Sequence, residues 1–158
     1  MHRWPRTALS SAQVPEGSGQ LPFARRIALG WDIWLDARKL PYQIGDTDLS
    51  VALAWADVAP DPRWNGVSAD FIVRRVRRSV KHPILMRHRR CMRGGLLGFK
   101  YLRKAGFDPV LKFALVEKSL ATEKLDAHCW VCLNDTPVIS DREDGMTDLM
   151  EFPRPTPA

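Results

Sequence analysis

The sequence has only three cysteines, no long apolar run, no internal repeat and fewer acidic than basic side chains. Each shortage excludes something. Three cysteines cannot all pair within one chain, so a disulfide framework is not expected, and thiol chemistry or plain packing takes its place. With no apolar run of bilayer length, no transmembrane helix is expected. The opening "MHRWPRTALSSAQVPEGSGQ" lacks a continuous apolar stretch, so no secretory signal is expected and the protein is read as cytoplasmic. Eighteen Asp and Glu against 24 Lys and Arg leave a formal net charge of +6, concentrated in "RRVRRSVKHP" and "RHRRCMR". Such a field suits nucleic acid, an acidic membrane surface or an acidic peptide, and charge alone does not choose among them.

What is present is enough for one folded unit. At 158 residues the chain has the length of a single domain, with an ordinary balance of 45% apolar and 27% charged residues. Residues 1–20 mix Ser, Pro, Gly and Gln without periodicity and are read as a flexible tail, as is the proline-rich end 151–158. The domain is then 21–150.

Helices come first. In "PFARRIALGWDIWLDARKL" the residues Phe23, Ile27, Trp31, Trp34 and Leu35 recur at helical spacing, and Pro41 is expected to end that helix. A second is expected over "LSVALAWADV", capped by Thr47 or Asp48. Ser68 announces a third, with Ile72, Val73, Val76 and Val80 on one stripe, Arg74, Arg75, Arg77 and Arg78 mostly off it, and His82 and Pro83 closing it. From residue 91 the pattern becomes helix followed by strands. "CMRGGLLGFKYLRKAG" is bounded by Gly106, with Arg103 and Lys104 in its last turn; "PVLKFALVE" and "AHCWVCL" are β-rich, and "NDTP" is a turn leading into "VIS". The expected class is α+β: N-terminal helices, then one helix packed on a small antiparallel sheet.

Cys91 stands where the last helix begins, among Arg87, Arg89, Arg90 and Arg93. Unpaired N–H groups and the positive end of the helix dipole favour thiolate there, lowering a cysteine pKa that is ordinarily about 8.5. The same N–H groups can hold an oxyanion. Three, four and seven positions on, the face shared with Cys91 carries Gly94, Gly95 and Gly98. Each glycine in a helix interior costs about 0.5–1 kcal/mol relative to alanine, so three together point to a close approach by another segment, such as a strand carrying His128.

Alternation in "AHCWVCL" places His128, Trp130 and Cys132 on one face and Cys129, Val131 and Leu133 on the other. A carboxylate bonded to the second imidazole nitrogen would complete a nucleophile, base and orienter set, with Asp141 after "VIS" or Asp135 in the turn as candidates. On residue types alone, packing roles are the commoner outcome for a lone cysteine and a strand histidine. Zinc on His128, Cys129, Cys132 and Cys91 is a further alternative, but zinc ribbons place CxxC on tight turns, and a redox CxxC opens a helix; here the pair straddles a strand. Cys129 and Cys132 are therefore read as core residues, and no metal or other cofactor is expected.

The order "RRC…GLLGFKYLRKAGFDPVLKFALV…AHCWVCLNDTPVISD" resembles the transglutaminase-like cysteine peptidases of lasso-peptide biosynthesis, over about residues 21–145. The resemblance implies a papain/transglutaminase-like core and an enzyme that removes the leader from a ribosomally made precursor. In it Cys91 is the nucleophile, His128 the general base and acid, and Asp141 the orienting carboxylate. It also implies the stand-alone form, with the precursor peptide, a separate leader-recognition protein and the lasso cyclase as partners. Neither a membrane nor nucleic acid is expected as a partner, since the apolar runs are short and a nucleic-acid role leaves the glycine face beside Cys91 unexplained. The alternatives are a transglutaminase-like acyl transferase or amide-forming enzyme on the same acyl-enzyme, and a non-catalytic basic protein binding nucleic acid or an acidic partner.

Overall fold

The computed structural model describes residues 22–44, 48–81, 90–117, 127–142 and 144–153. Its helices are α1 (Phe23–Gln43), α2 (Leu49–Ala56), α3 (Ala69–Ser79) and α4 (Arg90–Lys104), with a 3-10 turn at Pro62–Trp64 between α2 and α3. The strands are β1 (Pro109–Val116), β2 (Ala127–Leu133), β3 (Thr136–Ile139) and β4 (Met146–Phe152). They form one antiparallel sheet in the order β3-β2-β1-β4. The expected α+β architecture is the one observed. None of the described helices is long and apolar enough to cross a membrane.

Helix α4 is the axis of the fold, and every residue from Gly94 to Leu102 is buried. A helix apolar on all sides must be covered on all sides. The sheet covers one flank of α4, while α1, α2 and α3 cover the others. The polar exception is Lys100: its Nζ lies 3.0 Å from Asp36 Oδ2 and 3.7 Å from the centre of the Trp55 ring. Tyr101 donates its hydroxyl to the same carboxylate at 3.0 Å. Burial, reinforced by Asp36, pushes the Tyr101 phenol well up, so it remains a donor.

Local signals act as expected at several ends. Ser68 Oγ accepts from Phe71 N–H at 3.3 Å and caps α3. Gly106, at φ +84°, closes α4: its N–H bonds Arg103 O at 2.9 Å and Phe107 N–H bonds Leu102 O at 3.0 Å, the paired geometry of a left-handed stop. Asn134 and Asp135, both at positive φ, make the two-residue turn between β2 and β3. Pro137 is tolerated because β3 is an edge strand. Asp48 takes the N-cap position of α2 without a side-chain bond. Thr47, His82 and Pro83 lie outside the described residues.

Three expectations are corrected. The stripe Phe23, Ile27, Trp31 and Leu35 does not face the core; these residues are exposed, Trp31 by 56%, while Leu29, Ile33, Ala37 and Leu40 are buried. Helix α1 is apolar on two faces, and the inner one is chosen by Asp36, whose bonds to Lys100 and Tyr101 orient it toward α4. Trp34 is half-buried, under the Arg38 guanidinium at 3.8 Å. Pro41 does not end α1, which runs on to Gln43. The ring removes only its own N–H bond, and Ile44 N–H still reaches Leu40 O at 3.0 Å. Strand β4, not anticipated, extends to Phe152, beyond the expected domain edge at residue 150.

Candidate functional site

Cys91 is the second residue of α4, half-buried, in the turn whose backbone N–H groups have no intrahelical partner. Just before it, Arg90 Nε donates to Val80 O at 3.0 Å, tying the start of α4 to the end of α3. A β-carbon added to Gly94 would touch Val80 Cγ1 at 3.6 Å, so α3 covers the first of the three glycines.

The other two glycines receive the sheet. A β-carbon at Gly95 would lie 3.0 Å from both Cys129 Sγ and Leu111 Cδ1, and one at Gly98 would overlap Ile139 Cδ1. The close approach expected for this face is thus made by side chains of β1, β2 and β3. Strand β2 carries His128, as expected, yet it is Cys129 that fills the slot one turn along from Cys91. Alternation follows: Cys129 and Val131 join the main core, whereas Trp130 and Cys132 form a small cluster on the far side of the sheet with Ala114 and Met146.

His128 opens β2, opposite Ala114 of β1, and its ring stacks toward Trp130 with centroids 6.2 Å apart. At the strand end it reaches the thiol as well. Cys91 Sγ lies 4.0 Å from Ala127 O, and as a thiolate it accepts from the Cys129 and His128 side chains. The Cys129 thiol, with the His128 bond and positive charge behind it, draws the Cys91 pKa down to about 4 against the opposing effect of burial. Buried Cys129 is driven the other way and stays a neutral donor. Arg87 and Arg89, expected to share in this, lie outside the described residues.

The far nitrogen of His128 is held by the segment after β3. Nε2 is 3.0 Å from Asp141 O and 3.1 Å from Ser140 Oγ. A carbonyl only accepts, so Nε2 carries a hydrogen and donates it to Asp141, leaving Nδ1 as the nitrogen whose proton can come and go. Ser140 is buried and sits at φ +59°, a conformation that costs a non-glycine residue of order 1 kcal/mol or more. Nothing in the sequence marks Ser140; its role follows from strand register. Cys129 was legible as a core residue, but its contact with Cys91 was not.

Of the two carboxylates singled out, Asp141 lies beside His128, where its main-chain oxygen takes the Nε2 bond. Asp135 stands in the turn at the opposite end of β2, exposed, with Lys112 Nζ 4.0 Å away. The four candidate zinc ligands do not converge, because Cys132 faces the other side of the sheet from Cys129. Among the described residues no group of three or more His, Cys, Asp or Glu is placed to hold a metal ion.

The fold thus brings together a cysteine at a helix start and a histidine on a neighbouring strand, with a small antiparallel sheet behind them. Residues 28–151 match the family model of the transglutaminase-like superfamily, and the chain belongs to that superfamily. No curated protein and no solved structure matches it.

Proposed function

We propose that the protein is a cysteine peptidase that removes the leader from a ribosomally synthesised lasso-peptide precursor. The observation that carries this reading is the meeting of Cys91, in the first turn of α4, with Cys129 and His128 of β2, surroundings that hold the thiol pKa well below its usual value. Cys91 thiolate attacks the carbonyl carbon of the leader–core amide, and backbone N–H groups at the start of α4 receive the oxyanion. His128, protonated at Nδ1, gives that proton to the departing amine. The neutral ring then takes a proton from water, which attacks the thioester and releases the leader acid, restoring the ion pair. Asp141 is the orienting carboxylate of the set, supplementing the main-chain bond to Nε2. The reading includes a separate leader-recognition protein, which delivers the precursor, and a cyclase, which consumes the freed core.

Incubating the protein with a lasso precursor and its leader-recognition protein, and weighing the products, tests this. The expected products are a leader ending in a free carboxylate and a core with a new amine terminus. Cys91→Ala, with its fold checked by circular dichroism, abolishes them; cleavage that survives this substitution overturns the mechanism. A product in which an added amine replaces the carboxylate hydroxyl identifies acyl transfer instead.

A further inference from the structure

The arginines of α3 enclose a concavity on the helical side of the molecule. Its volume is about 550 Å³ and its walls are Arg26 of α1, Phe71, Arg74, Arg75, Arg77 and Arg78 of α3, and Lys81 just beyond. Six cations thus surround one ring. Arg26 and Arg75 both stack on Phe71, their guanidinium carbons 5.1 and 5.2 Å from its centre. A stacked guanidinium is held in place while its N–H edge stays available to a carboxylate. Arg75 also rests against the gap at Gly30, where an added β-carbon would meet the guanidinium at 3.5 Å. Arg77 reaches across to donate to Val138 O on β3 at 3.0 Å.

The helix concentrates like charge: Arg74 and Arg78 stand four residues apart on α3, a spacing that is mildly destabilising. The core contacts of α3 are made by Phe71, Ile72, Val73 and Val76. The one acidic residue of the helix, Asp70, pairs with Arg74. Lys81 follows Val80, whose carbonyl accepts from Arg90 and whose side chain covers Gly94, so this wall of the concavity adjoins the start of α4.

We propose that this concavity binds an acidic segment of the peptide substrate and leads it toward Cys91. The choice of a peptide rests on the peptidase reading; the charge and the shape of the surface do not. An Asp- or Glu-rich stretch is complementary in charge to this lining, and the space accommodates several side chains rather than one small anion.

The test is fluorescence anisotropy with a labelled Glu-rich peptide, its Gln counterpart and a single-stranded oligonucleotide of equal charge. The proteins compared are wild type, Cys91→Ala and the double variant Arg78→Glu/Lys81→Glu, whose two positions are exposed. Wild type and Cys91→Ala bind the Glu peptide equally, the Gln peptide binds far more weakly, and added salt weakens the Glu complex. The double variant loses about tenfold or more in affinity. Its circular dichroism and the alkylation rate of Cys91 by iodoacetamide are unchanged. Equal binding of Glu and Gln peptides, full affinity in the double variant, or an oligonucleotide that binds more tightly than the peptide overturns the inference. If this binding pattern holds while no precursor is cleaved, the peptidase reading fails and the acidic-peptide surface stands.

Discussion

The ionisation of Cys91 gives the sharpest handle on the site. With a pKa of about 4, the thiol is almost wholly ionised at pH 5.5. An ordinary cysteine, at about 8.5, is ionised there to roughly one part in a thousand. The thousandfold gain in thiolate is partly offset, because a less basic thiolate is a weaker nucleophile. With a Brønsted slope of about 0.45, a drop of about 4.5 pKa units lowers intrinsic reactivity roughly a hundredfold. The net advantage at pH 5.5 is therefore about tenfold, and the shape of the profile discriminates better than the absolute rate. Iodoacetamide alkylation of the native protein, followed by intact mass across pH 3–9, is expected to rise around pH 4 and then stay flat. One thiol reacts quickly, since Cys129 and Cys132 are buried. Cys129→Ala removes the largest contributor and moves the midpoint up, but short of the ordinary value while His128 remains; His128→Ala added to it moves it further. A rate that still climbs through pH 8–9 in the wild type would refute the reasoning. The same depression couples to folding. The unfolded chain binds the proton more readily, so Cys91 adds stability that is full above about pH 8.5 and is lost as pH falls toward about 4. Cys91→Ser should flatten that part of the stability curve in urea titrations.

Three other outcomes follow from the packing. Leu29→Ala on the inner face of α1 should cost about 2–5 kcal/mol in chemical denaturation, whereas Ile27→Ala on the exposed stripe should stay within about 0.5 kcal/mol; similar losses from both would put the wrong face inside. Gly94→Ala should raise the melting temperature, because it meets Val80 at an ordinary distance and gains up to about 1 kcal/mol of helix propensity. Gly98→Ala should lower it through overlap with Ile139, by about 1–3 kcal/mol of overpacking set against that gain, and Ile139→Val should restore part of the loss. Ser140→Ala should leave the fold intact yet move the Nε2 resonance of the His128 ring in nitrogen NMR spectra and, on the peptidase reading, reduce kcat more than it changes KM; an unaltered Nε2 resonance would remove Ser140 from the site.

Much of the candidate site was legible. Cys91 at a helix start, three glycines on its face and His128 at the head of a strand are local patterns, and the fold does bring that strand onto that face. Cys129 is a core residue, as expected, and it also meets Cys91. Alternation correctly sends it into the core, but the core at that point is the slot at Gly95, so burial and contact with the thiol coincide there. Asp141 was found as a carboxylate, while the bond His128 makes to it is to the main chain, which no side-chain pattern encodes.

The sequence by itself determined the types of the four helices and of β1, β2 and β3, the serine cap of α3, the glycine stop of α4 and the turn between β2 and β3, because each depends on residues within a few positions of one another. Tertiary structure alone decided which apolar face of α1 turns inward, that β4 completes the sheet, that Cys129 meets Cys91 and that Ser140 backs His128. The α1 face was settled by the distant Lys100 and Tyr101, and the other three by strand register, which depends on pairing between segments far apart in the chain.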